Sequence, residues 1–379
     1  MDNHYGGLVD QVLRYRDIKG IIPFKGWLSH PITAVFSCRG CDRQCVFCGG
    51  SRSAMKRVTG RKETAFRTPE EIHRDIKNIS RVSRGPIFIL ADIRQNGEAR
   101  ALDLLRLLQR RPVNNTLMFE LYRPATARFI EDLSLAAPRF GLDISPHSHD
   151  PAVRKATGLE YTNAELEETI NAALYHEAER VEVYFMIGLP RQTKESVLED
   201  TAYCEYLLRK FDADRRLFLY QGPLSPFLDP GSLAFENPGR YGYRLLFRTL
   251  AEHREALTGP SWKYILNYET KWLSRKDIVD VSYEANARLT GVKAKYGQIS
   301  RSRAEAQVKR LERARELEAQ IDSILASDHP EDLELLRPEI EKLNSFADVH
   351  HRQLIDVPLG LFKLRYLNML WQLIKGKGS

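Results

Sequence analysis

Six short apolar runs, alternating with stretches of helical periodicity, constrain this chain more than any other feature of its sequence. The runs are PITAVFS at 31–37, PIFILAD at 86–92, TLMFELY at 116–122, FGLDISP at 140–146, VEVYFMIGLP at 181–190 and RLFLYQG at 216–222. They have the length and composition of strands covered on both faces. After the first run, Thr68, Pro69 and Glu71 make a capped helix start, and Ile72, Ile76, Ile79 and Val82 follow at helical spacing. Helices are expected at about 98–110 and 125–137. A second capping box, Thr162 to Glu165, leads a helix with Leu166, Ile170, Ala173 and Leu174 on one face. Cys204 falls on the buried face of the helix after the fifth run and reads as core. Such alternation predicts parallel strands joined by right-handed crossovers. Six units predict an α/β fold, a partial (β/α)6 TIM-like barrel; a doubly wound sheet is the alternative that periodicity does not separate from it. In either, ligands sit at the carboxyl ends of the strands.

Beyond Gly222 the pattern changes. GPLSPFLDPGSLAFENPGRYG reads as an irregular loop able to cover the barrel mouth, and the remainder as a mainly α-helical C-terminal extension. Residues 301–326, with Val308, Leu311, Ala314, Leu317, Ile321 and Ile324, predict one exposed amphipathic helix, a brace or a docking surface. The tail carrying Leu361, Leu364, Leu367, Leu370, Trp371 and Ile374 is expected to pack onto the body. The expected division is an N-terminal segment at 1–30, the partial barrel at 31–222 and the extension at 223–379. A hydrophobic share of 43% and a charged share of 28%, with no apolar window of the ~18 residues a bilayer needs, predict a chain without a membrane span. The first twenty residues have no apolar signal core, which points to the cytoplasm.

Four of the five cysteines, Cys38, Cys41, Cys45 and Cys48, fall within FSCRGCDRQCVFCGGS. Thiols crowded this way in a reducing compartment bind metal more readily than they form disulfides. Zinc sites usually set two C-x2-C pairs a dozen or more residues apart, whereas here three residues separate the pairs. A bacterial ferredoxin run would have three residues in its last gap and then proline; this one has two and then Gly49. Just beyond, Arg52, Lys56, Arg57, Arg61, Lys62 and Arg67 face only Glu63, a local concentration of the net charge of +7. That field suits an anionic substrate, an acidic protein or a nucleic acid, although Phe66 is the sole aromatic nearby for base stacking.

Cys41, Cys45 and Cys48 alone read C-x3-C-x2-C, and in this spacing, in the loop after the first strand of a β/α barrel, the chain resembles the radical S-adenosylmethionine (radical SAM) superfamily. The resemblance implies that these three thiolates hold a 4Fe-4S cluster and leave its fourth iron open for S-adenosylmethionine. It further implies reductive cleavage to a 5'-deoxyadenosyl radical, used for hydrogen abstraction or methyl transfer on a substrate the sequence does not identify. An acidic electron donor such as flavodoxin or ferredoxin is the implied partner. By position in the family pattern, the cofactor-binding residues are Phe47 and Gly49 beside the cysteines and Asp92 at the second strand's end. Glu120 on the third strand, Ser145 and His147 after the fourth, and Ile187 and Gly188 on the fifth complete the set.

SHDPAVRKATGLEYTNAELEETI and FMIGLPRQTKESV are similar to the branch that includes methylthiotransferases and cobalamin-dependent members, and the FSCRGC lead-in and GGS exit are most like members with a cobalamin-binding domain. No D-x-H-x-x-G motif occurs in the chain, so cobalamin would have to come from a separate domain or protein. The alternative reading is a non-catalytic four-cysteine iron-sulfur or zinc protein with Cys38 as fourth ligand. Metal analysis of a Cys38→Ala variant separates the two: the three-ligand reading expects iron content close to wild type, and the four-cysteine reading expects its loss.

Overall fold

The computed structural model describes residues 33–224, 227–340 and 343. Six strands, β1 (Thr33–Phe36), β2 (Ile87–Leu90), β3 (Leu117–Leu121), β4 (Phe140–His147), β5 (Arg180–Ile187) and β6 (Leu217–Pro223), form one sheet in sequence order. Every pairing is parallel. The sheet does not close between β6 and β1 among the described residues, and this is the partial barrel of the sequence reading. The N-terminal segment 1–30 and the Leu361–Ile374 tail of the sequence reading lie outside the described residues.

Helices follow the strands as their punctuation predicts: α1 (Arg52–Thr59), α2 (Pro69–Val82), α3 (Glu98–Arg110), α4 (Ala127–Ala136), α5 (Pro151–Thr157), α6 (Asn163–Tyr175) and α7 (Lys194–Lys210). Thr68 and Thr162 form the two expected capping boxes, and Thr193 adds a third with Ser196. Alternate strand residues, among them Val35, Ile89, Phe119, Ile144, Val183 and Leu219, pack outward against Ile76, Leu104, Ile130, Ile170 and Leu207 of the helices. Cys204 is fully buried in this layer, as expected.

The segment after β6 is more ordered than an irregular loop. It holds helical turns at Leu233–Glu236 and Pro238–Tyr241, and an antiparallel ribbon pairs Tyr243–Leu245 with Tyr268–Thr270. Two long helices follow, α8 (Arg275–Lys295) and α9 (Arg301–Leu325). Helix α8 packs on α7 and β6, and α9 packs on α8. The Gln298 amide donates to Leu217 O at 2.8 Å, occupying a carbonyl at the sheet edge. Helix α9 is therefore a brace with Ala304, Leu317 and Ile321 buried, rather than a solvated rod.

Leu289 of α8 is 3% exposed and belongs to the same core as the barrel strands. Leu289→Ala should cost about 2–5 kcal/mol and shift a single unfolding transition, because barrel and extension share that core. Two separated transitions in calorimetry would show that the extension folds independently.

Candidate cofactor site

The loop after β1 is anchored before it reaches the cysteines. Ser37 N donates to Leu90 O at 3.1 Å and its hydroxyl to Ala91 O at 3.2 Å, fastening the end of β1 to the end of β2. Cys38–Arg39 then pairs antiparallel with Ala65–Phe66. Two turns shape the cysteine segment, Cys48 N to Cys45 O at 3.3 Å and Ser51 N to Cys48 O at 3.2 Å, and Ser51 caps α1.

Cys41, Cys45 and Cys48 are half-buried, whereas Cys38 is buried within its ribbon. The Cys38 thiol donates to Gly40 O at 3.2 Å and receives a long contact of 3.8 Å from the Gln95 amide. Backbone N–H groups point at two of the others: Arg43 N lies 3.4 Å from Cys41 Sγ and Gly50 N lies 3.3 Å from Cys48 Sγ. Donors of this kind tune iron-sulfur clusters. Burial pushes Cys41 up to about 12, helped by the fields of Asp42, Cys45 and Cys48, and it pushes Cys45 up to about 11. Such thiols are neutral at pH 7, and a bound cation supplies the charge that makes them thiolates. Among the described residues no three His, Cys, Asp or Glu side chains converge as a single-ion site, while Cys45 and Cys48 lie near enough to Cys41 for their fields to act on it. Three half-buried sulfurs, two of them with N–H donors beside them, fit a cluster ligand set.

The residues singled out from the sequence fare differently. Phe47 stacks at a tilt against His147, centroids 5.1 Å apart, and shares an apolar cluster with Ile187, Met186 and Cys48. His147 takes a left-handed backbone, φ 69°, and pairs through Nδ1 with the Thr157 hydroxyl at 2.8 Å. Burial, with the nearby Arg154 charge, pushes it down to about 3, so it is neutral. Ser145 sits half-buried at the β-bulge where β4 shifts register against β5. Glu120 accepts from Ala91 N at 2.6 Å, and burial raises its pKa against that bond. Gly188, φ 94°, has its N–H on Gln192 and its carbonyl under the Tyr243 hydroxyl, and an added Cβ would lie 2.8 Å from the Tyr268 oxygen.

Asp92 is held in a local network. It is 2% exposed, and its carboxylate is taken by the Arg94 guanidinium at 2.7 and 2.9 Å and by Tyr122 N at 3.0 Å. Both oxygens are thus engaged in a local cap and ion pair at the end of β2.

Three contributors escaped the sequence reading. The Gln95 carbonyl oxygen accepts from the Cys41 thiol at 3.2 Å and from Asp42 N at 3.0 Å. Tyr122 is pushed up by burial and by the fields of Glu120, Cys41, Cys38 and Cys48, so its hydroxyl lies within reach of those charges. Both lie just past the carboxyl ends of strands, the position that could have flagged them. Asp229, from the segment after β6, accepts from Gly49 N at 2.7 Å. A Cβ on Gly49 would come within 2.8 Å of the Asp229 side chain, so glycine is what lets the two segments meet. Ala234 N to Val46 O at 2.8 Å and the Arg57–Glu236 ion pair at 3.0 Å extend that joint.

Behind the loop, the inner face of the sheet is polar. Glu120, Asp143 and Glu182 sit in register on β3, β4 and β5. Arg180 pairs with Glu182, donates to the Tyr220 hydroxyl at 2.8 Å and lies over the Phe218 ring at 3.7 Å.

Residues 35–204 match the radical SAM superfamily. No curated protein matches the chain in sequence. Among solved structures it is similar to the radical S-adenosylmethionine methyltransferase TsrM from Kitasatospora setae with cobalamin and a 4Fe-4S cluster bound, at a TM-score of 0.44 and 16% identity over 57% of this chain and 42% of that one. It is also similar to the cobalamin-dependent S-adenosylmethionine radical enzyme OxsB with aqua-cobalamin bound, at 0.46 and 13% over 91% of this chain and 54% of that one. For methylornithine synthase (PylB) the values are 0.38 and 14% over 54% and 55%. The chain thus spans 42%, 54% and 55% of the length of these three structures.

Asp143 gives the inner face a pH signature. Burial, then the charges of Glu182 and Glu120, push it up to about 7 against the opposing charge of Arg180. The folded state therefore holds this proton more tightly than the unfolded chain, and the contribution to stability falls as pH rises from the ordinary value of 3.8 towards about 7. Asp143→Asn should raise stability by on the order of 2 kcal/mol at pH 8 and change it little at pH 4. Denaturation at the two pH values checks this; equal effects at both would mean that Asp143 is well solvated.

Proposed function

We propose that the chain is an enzyme that uses residues 35–204, which match the radical SAM superfamily, to cleave S-adenosylmethionine reductively and pass the resulting radical to a small organic substrate. The observation that carries this reading is the set of three half-buried thiols, Cys41, Cys45 and Cys48, in the loop that follows β1, with Cys38 turned into a β-ribbon.

A 4Fe-4S cluster held by these three thiolates would supply one electron to the sulfonium bond, releasing methionine and a 5'-deoxyadenosyl radical that takes a hydrogen atom from substrate. The chain's own residues have distinct tasks. Arg43 N and Gly50 N soften the charge on the cysteine sulfurs. Gln95 and Asp229 fix the loop from opposite sides. Phe47, His147 and Ile187 offer a dry wall suited to adenine, and Glu120 and Tyr122 offer polar groups to the methionine end. Gly49, Ser145 and Gly188 are further candidates for contact in this reading, while Asp92 acts through Arg94 and the backbone.

The electron donor in this proposal is an acidic flavodoxin or ferredoxin. Helix α1 leaves the cysteine loop directly, and Arg52, Lys56 and nearby Lys62 are exposed on that side. Arg57 and Arg67 are used instead in ion pairs with Glu236 and Asp75. No helix among the described residues is long and apolar enough to cross a membrane. A reducing, cytoplasmic setting is part of the proposal, and cobalamin takes part only if another domain or protein carries it.

The test is anaerobic. Protein reconstituted with iron and sulfide and reduced should convert S-adenosylmethionine to 5'-deoxyadenosine or a methylated product, and Cys45→Ala should lower turnover by more than ~100-fold, since each ligand is needed to hold the cluster. With flavodoxin as donor, the rate should fall with added salt. Absence of product from cluster-loaded protein would refute the catalytic reading.

A further inference from the structure

A cavity of about 920 Å³ lies between the inner face of the barrel at β5 and β6 and helices α8 and α9. Its volume is that of a site for a substantial organic ligand. Tyr184, Phe218 and Tyr220 form the barrel wall, and Trp262 and Tyr283 face them from the extension. Every charged residue of the lining is basic: Arg215, Lys293 and Arg303.

Lys293 is the unusual member. It projects from α8 towards the barrel, with its ammonium 4.9 Å from the Tyr220 ring centroid and no carboxylate within ion-pairing distance among the described residues. Burial, together with the Arg180 charge, pushes it down to about 8. A desolvated lysine without a counter-ion costs stability, and it is kept most economically where a ligand provides the anion. The aromatic walls favour a flat ring system over a flexible polar chain.

The cavity also connects to the chemistry. Tyr184 and Met186 lie on the same face of β5, two residues and therefore ~7 Å apart along the strand. Met186 packs in the apolar cluster with Phe47 and Cys48. Tyr184 thus lies on the strand face that leads towards that cluster.

We propose that this cavity is a substrate site for an aromatic ring compound bearing an anionic group, with the anion seated on Lys293 and the ring between Tyr220 and the aromatic residues of the extension. What then happens to the ligand rests on the radical SAM reading; its binding does not. The experiment measures binding alone, by equilibrium dialysis of the reconstituted full-length protein against 2-naphthoate, 2-naphthyl phosphate and the neutral 2-naphthamide, without S-adenosylmethionine. Both anions should bind at least ~10-fold more tightly than the amide, the worth of a charge-assisted contact. Lys293→Met should erase that preference while leaving the amide's affinity unchanged, which controls for an intact cavity, and Lys293→Arg should retain it. The relative affinity of the two anions distinguishes a carboxylate from a phosphate ligand. Equal affinity of amide and anions, no binding of any probe, or a preference that survives Lys293→Met would overturn the proposal. Failure of S-adenosylmethionine cleavage with anion binding intact would instead count against the radical reading alone.

Discussion

Parallel pairing of six strands in sequence order is the constraint on which the rest depends. Each parallel neighbour requires a crossover, so every strand delivers its following loop to the same end of the sheet. That geometry brings the cysteine loop after β1 together with Gln95 after β2, Tyr122 after β3 and His147 at the end of β4. No local propensity could gather groups from four separate parts of the chain; the sheet does it by alignment. The same pairing leaves β6 with an open edge, which α8 and the Gln298 bond to Leu217 O cover.

The cysteine loop has little regular structure of its own, and ordering it costs conformational entropy of about 1–2 kcal/mol per residue. The offsetting contacts come from far away in sequence: Asp229 on Gly49 N, Ala234 N on Val46 O, and Glu236 on Arg57. The extension is thus built into the cofactor site as well as into the barrel flank. One stretch of chain, running from Asp229 through α8, connects the support of the cysteine loop to the wall of the large cavity.

The barrel was legible because its strands are buried on both faces and its helices carry explicit start signals. The Thr68 and Thr162 boxes form as read, and the 98–110 helix has the expected bounds. The cysteine spacing was legible because it is local. Asp92 drew attention because its position at a strand end matched the family pattern, while its pairing with Arg94 two residues later gave no sequence signal. Asp229 and Lys293 were not legible at all, since their meaning depends on partners 180 and 73 residues away, Gly49 and Tyr220. The ribbon joining Tyr243–Leu245 to Tyr268–Thr270 was hidden for a related reason: three-residue strands are too short to show a period.

The central claim is that three cysteines hold a cluster with an open iron. Electron paramagnetic resonance of the reduced, iron- and sulfide-reconstituted protein, recorded with and without S-adenosylmethionine, tests it most directly. The account predicts a 4Fe-4S signal whose shape changes when S-adenosylmethionine is added. A signal indifferent to it, or bound zinc in place of a cluster, would contradict the account and return Cys38 to the ligand set.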